Sequence, residues 1–203
     1  IMHTQTKQSQ TEITPKYALE ILKQGNWRFE QNVKAQRDLK AQVKDTQEGQ
    51  YPFAAILSCI DSRVPAELVF DQGIGDIFSV RVAGNIVNED ILGSLEYSCK
   101  VAGSKIIVVL GHSKCGAVTA ACNNVKLGNI TSLLQKIKVP KEIIDNNEID
   151  QESIELVSME NVKASVERIK NESPILSEME NSQEIKIIGA MYDVSKGRIT
   201  FYE

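Results

Sequence analysis

The sequence predicts an α/β protein: a central, mainly parallel β-sheet flanked by helices, with a C-terminal hairpin strand and an N-terminal helical arm. Three observations carry this. Short continuous apolar runs recur at 53–57, 77–82 and 105–110, the pattern of strands covered on both faces. Helical segments alternate with them, which favours parallel pairing through crossover connections. Near the end, 185–191 and 198–202 flank Asp193-Val194-Ser195-Lys196-Gly197, a hairpin that closes the sheet.

Each element has its own signal. Thr14-Pro15 supplies a cap and a first-turn proline, opening a helix that runs to about Val33. Its face of Ala18, Leu19, Leu22 and Phe29, with Trp27 nearby, suits the core or a subunit contact, and Gly25 weakens it locally. Phe53-Ala54-Ala55-Ile56-Leu57 is the first strand, with Cys59 just past its end. After the second run, a helix over about Asn88 to Ala102 closes at Gly103, and the third run ends in Gly111-His112. A helix is expected from Ser113 to Ala121, placing Cys115 in its first turn, where the positive helix end favours a thiolate. Residues 138 to 150, with their Asn146-Asn147 pair, read as a solvated loop. Ile154, Val157, Val162, Val166 and Ile169 then mark an amphipathic helix over about Gln151 to Lys170, with Pro174 marking its end. The Thr-, Gln- and Lys-rich start offers little apolar surface, so residues 1–13 read as a disordered leader ahead of a single domain at 14–203.

Bulk properties narrow the function. A net charge of -4 excludes a nucleic acid as principal partner, which calls for clustered excess Lys and Arg. No apolar run approaches a membrane span, and a small or neutral substrate suits the chain better. Four cysteines are too few for a disulfide scaffold; Cys99 and Cys122 sit in apolar stretches as packed side chains. A cytoplasmic location is expected, the alternative being the periplasm after removal of a signal peptide.

The remaining cysteines point to metal chemistry. Cys59, His112 and Cys115 offer the soft donors zinc prefers, and three is the usual protein ligand count of a catalytic zinc with one position open. Ligands in open α/β sheets bind at the carboxyl ends of strands, which is where Cys59 and His112 fall. A structural site would need a fourth ligand, and Asp61 is a candidate. Asp61 and Arg63 form either an acceptor-only carboxylate poised beside the metal or a plain salt bridge holding a turn. Two thiolates cancel the charge of Zn²⁺, so such a zinc is intrinsically less acidifying than one held by neutral histidines and needs help nearby.

Cys59-x-Asp61-Ser62-Arg63 with His112-x-x-Cys115-Gly116 resembles the signature of the β-class carbonic anhydrases, and Val64-Pro65-Ala66-Glu67, Gly75-Asp76-Ile77-Phe78, Arg81-Val82-Ala83-Gly84-Asn85 and Ser94-Leu95-Glu96-Tyr97 match as well. The resemblance runs from about Pro15 to the C-terminus. It implies reversible hydration of CO2 to bicarbonate and a proton, with one Zn²⁺ per chain on Cys59, His112 and Cys115. Zinc-bound hydroxide would attack CO2, oriented by Asp61 and its partner Arg63. It also implies substrate contacts at Gln50, Phe78, Ala83, Tyr97 and Gly116, and a homodimer or dimer of dimers. One family branch has a tryptophan three residues before the first cysteine ligand, part of a bicarbonate pocket linked to a closed site, to which Arg81 also corresponds. Ile56 stands there here, so a site resting open, with Asp61 on Arg63, is expected. The same ligands serve carbon disulfide or carbonyl sulfide hydrolysis in a related branch, and an inactive zinc- or bicarbonate-binding protein is the other alternative.

Overall fold

The computed structural model describes residues 1–146 and 149–203; Asn147 and Glu148, in the expected 138–150 loop, lie outside the described residues. In chain order the elements are α1 Lys7–Glu12, α2 Pro15–Glu30, α3 Leu39–Asp45, β1 Ala54–Ser58, α4 Ala66–Val69, β2 Ile77–Arg81, α5 Glu89–Glu96, β3 Ile106–His112, α6 Gly116–Cys122, α7 Gly128–Leu134, α8 Lys141–Ile144, α9 Gln151–Glu172, α10 Pro174–Asn181, β4 Lys186–Tyr192 and β5 Ile199–Tyr202. The strands form one sheet in the order β2-β1-β3-β4-β5, parallel except for the final β4–β5 pair. The predicted fold class is the one observed.

Side-chain alternation along the strands divides the core in two. Ala54, Ile56, Ile106, Val108 and Leu110 face Ala18, Leu19 and Leu22 of α2, while Ala55, Leu57, Ile107 and Val109 face Leu95 of α5, Val162 and Ile169 of α9 and Leu176 of α10. Burial on both faces is why β1 and β3 read as unbroken apolar runs. Gly25 proves to be a point of close approach: a Cβ there would overlap the Phe70 carbonyl oxygen. Gly189 of β4 plays the same part under α9, where an added Cβ would lie 2.6 Å from Val162 Cγ1.

Several expectations are corrected. Residues 4–13 are ordered and docked: Thr6 caps α1, Thr4 Oγ1 donates to the Ile74 carbonyl, and the buried Gln10 donates from Nε2 to the carbonyls of Pro52 and Ala102. The segment has little apolar surface, but its polar side chains replace water at backbone carbonyls, that of Pro52 being shared with the Ser104 hydroxyl. The 138–150 stretch holds the short helix α8. Pro174 does not simply end a helix; it is the first residue of α10, capped by Ser173, whose hydroxyl accepts from the Leu176 amide. The helix expected from Ser113 begins at Gly116, because Lys114 adopts a left-handed conformation (φ 52°), leaving Cys115 as the N-cap residue rather than in the first turn.

Candidate metal centre

Parallel pairing sets Ser58 opposite Leu110, so Cys59 and His112 emerge together at the carboxyl ends of the two central strands. Cys115 joins them through the tight turn between β3 and α6. The two sulfurs and a His112 ring nitrogen all lie within 4.8 Å of one another, and all three residues are buried. That spacing matches one ion bound at about 2.0–2.3 Å by each donor.

The histidine tests the fit independently. Its Nδ1 lies 2.8 Å from the Ser113 carbonyl oxygen, which can only accept, so Nδ1 carries the proton and Nε2 presents a lone pair. Nε2 is buried and has no hydrogen-bond partner among the described residues, an arrangement that costs stability unless the lone pair has another use. A metal is that use, and a backbone carbonyl on the opposite nitrogen is the usual way a ligating imidazole is oriented. The sulfurs are tightly coupled. Their mutual hydrogen bond lets one of the pair hold a thiolate at the other's expense, lowering Cys59 and raising Cys115, with the Gly84 amide also favouring charge on Cys59.

Asp61 is not a fourth member of the cluster. Arg63 holds its carboxylate through Nε at 3.0 Å and Nη2 at 2.7 Å, and the Arg63 amide adds a third bond at 2.9 Å. These bonds, led by the Arg63 side chain, lower Asp61 to about 2. One oxygen nevertheless stays 3.8 Å from His112 Nε2, beside the metal position. The arrangement is three donors, one ionised acceptor at the rim, and no fourth protein donor among the described residues.

A carbonic anhydrase family model matches residues 54–199, which spans both halves of this cluster. The chain belongs to the carbonic anhydrase family. Carbonic anhydrase 2 of Mycobacterium tuberculosis is 33% identical, with 91% of each chain covered, and the carbonic anhydrase of Mycolicibacterium smegmatis is also 33% identical, covering 91% of this chain and 92% of its own. A tetrameric β-carbonic anhydrase of Sordaria macrospora superposes with a TM-score of 0.69 at 25% identity, covering 76% of this chain and 82% of the other. The β-carbonic anhydrase CafA of Aspergillus fumigatus shares the fold, with a TM-score of 0.72 at 23% identity over 93% and 91% of the two chains. The β class uses zinc, and the Cys59–His112–Cys115 cluster fits one such ion.

Around this carbonic anhydrase centre, the expected substrate contacts divide into two groups. Ala83 and Gly116 lie beside the ligands: Ala83 opens the turn whose Gly84 amide donates to Cys59 Sγ at 3.4 Å, and Gly116 follows Cys115 with open space where a Cβ would be. Gln50, Phe78 and Tyr97 lie elsewhere. Gln50 is exposed ahead of β1, about 17 Å of strand away from the end that carries Cys59. Phe78 pairs with Ala55, four residues short of Cys59, and meets Tyr97 edge-on at 6.1 Å in a groove along the open β2 edge. Within one chain these three do not converge on the metal.

Other residues hold the site without having been singled out for that task. Arg81 donates to the carbonyls of Cys59 at 2.9 Å and Asp61 at 2.6 Å, tying down the loop after β1, whereas the sequence marks it only as a counterpart of a bicarbonate-pocket arginine. Arg63 Nη2 also reaches the Lys114 carbonyl at 3.1 Å, joining the two ligand loops. From α9, Glu155 accepts the Lys114 amide, Asn161 donates to the Gly84 carbonyl and Ser165 to the Asn85 carbonyl. A signal existed: Ser158, Asn161 and Ser165 recur at helical spacing among the apolar positions of α9.

Proposed function

We propose that the protein catalyses the reversible hydration of CO2 to bicarbonate and a proton at the Cys59–His112–Cys115 centre. The observation that carries this reading is the combination of three converging donors with an Asp61 carboxylate that Arg63 keeps off the metal. Bound zinc supplies Lewis acidity, making water a nucleophile near neutral pH. The protein does the rest. Asp61, ionised and able only to accept, takes a hydrogen bond from the attacking water and so aims its lone pair; Arg63 fixes the carboxylate's position. The open space over Gly116 and the small Ala83 leave room for a linear substrate.

Assembly completes the pocket. Among the described residues the outer edge of β2 has no strand partner, and Tyr97 is half exposed, which supports a homodimer, or a dimer of dimers, formed along this face. In that assembly Gln50, Phe78 and Tyr97 serve the site of the other subunit. No described helix is long and apolar enough to cross a membrane. All four cysteines are unpaired, which suits the reducing cytoplasm.

Stopped-flow CO2 hydration with metal analysis tests the reading on the native chain and on Asp61→Ala. One zinc per chain and turnover well above buffer are expected from the native chain, and a large loss of turnover with zinc retained from the variant. Zinc-loaded native protein without hydration above buffer would overturn the proposed activity. An unchanged Asp61→Ala rate would remove only the role given to Asp61.

A further inference from the structure

The turn Ala83-Gly84-Asn85 is pinned by a helix with no ligand of its own. Gly84 (φ 68°) and Asn85 (φ 41°) are both left-handed, a conformation that glycine adopts freely and asparagine tolerates. The turn's carbonyls are fixed from α9. Asn161 Nδ2 donates to the Gly84 carbonyl at 2.8 Å and Ser165 Oγ to the Asn85 carbonyl at 3.0 Å. Asn161 is 4% exposed and Ser165 3%, so each polar group is buried for these contacts. Ser158, on the same face, bonds to the Ile154 carbonyl of its own helix instead. With the turn so fixed, the Gly84 N–H meets Cys59 Sγ at 3.4 Å.

A zinc held by two thiolates and one neutral imidazole carries no net charge at the centre, and its acidity suffers accordingly. A hydrogen bond to a ligand sulfur draws electron density away from the metal–sulfur bond and restores some of the metal's electrophilicity. We infer that Asn161 is a positioning residue which, with Ser165, holds the 83–85 turn so that the Gly84 N–H stays on the Cys59 sulfur and tunes the metal. The inference rests on the zinc site proposed above. Asn161 touches neither metal nor substrate and acts through the Gly84 backbone.

The test uses cobalt(II) in place of zinc, because cobalt bound to thiolate has a sulfur-to-metal charge-transfer band that reports the electron density on sulfur. Asn161→Asp keeps the shape but loses the donor. Its cobalt form is expected to show the band at longer wavelength than the native form, and its zinc form to lose about tenfold in kcat with KM changed less than about twofold and one zinc per chain retained. Ser165→Ala is expected to move the band the same way by less. If Asn161→Asp does not fold, Ser165→Ala decides by the same readings. A folded variant with the native band position and native kcat would overturn the inference while leaving the zinc enzyme intact. Native protein that takes up cobalt with no sulfur band would defeat the metal site on which it rests.

Discussion

Asp71 shows how much one carboxylate can hold in place. It is buried in a left-handed position after α4, bonded to Arg28 Nε at 2.6 Å, Arg37 Nη1 at 2.8 Å and the Ala35 amide at 2.9 Å. Burial works against its charge, yet these partners prevail and its acidity rises. A carboxyl depressed in the folded state stabilises it above the unfolded value, about 3.9, and that stabilisation disappears as pH falls through the lower folded value. Asp71→Asn, which leaves the buried Arg37 without its counter-charge, is expected to cost about 3–5 kcal/mol at pH 7. Urea denaturation of both proteins from neutral pH to about pH 3 should show the gap narrowing below about pH 4; a gap independent of pH would contradict the assignment. Close to the metal, Gly84→Ala is expected to destabilise by about 1–3 kcal/mol through its left-handed φ. The added Cβ would also sit 2.8 Å from Ile137 Cδ1, and thermal unfolding measures the sum.

Helix α9 is the element on which sheet and site both lean. Val162 packs directly over Gly189, so Gly189→Ala should lift the helix and cost about 1–3 kcal/mol by overpacking. Val162→Ala, destabilising alone, should partly relieve it. A double-mutant cycle read by urea denaturation is expected to give a stabilising coupling, whereas simple additivity would mean that the two do not meet. The strands and the three metal donors were legible in the sequence because continuous burial and a soft-ligand pattern both leave local signatures. The function of α9 was not. Asn161 and Ser165 resemble surface residues in composition, and only the fold reveals that the carbonyls they reach lie 77 and 80 residues away. Helix α10 escaped for a related reason: proline after a serine stops one helix and starts another with equal ease.

For the whole molecule, the division of expected substrate contacts leads to a subunit-mixing experiment. If Gln50 serves the neighbouring site, a dimer of one Asp61→Ala and one Gln50→Ala subunit has one doubly defective site and one intact site. Mixed and reassembled variants are therefore expected to regain activity that neither has alone, up to about half the native rate per mixed dimer. No recovery in proven mixed dimers would place Gln50 outside the partner's site. Gln50, Phe78 and Tyr97 are legible in the sequence as family positions, but their distance from the metal donors is not, since it follows from the strand register and from where β1 begins.

The docked N-terminal segment also bears on how the chain assembles itself. Gln10 is synthesised before either of its two acceptors, and its amide cannot be satisfied by them until Pro52 and Ala102 have been brought together, 42 and 92 residues later. Contacts of such sequence separation are slow to close. A segment made before its partners must wait for them, a latch that can shut only when β1 and the turn before β3 have met.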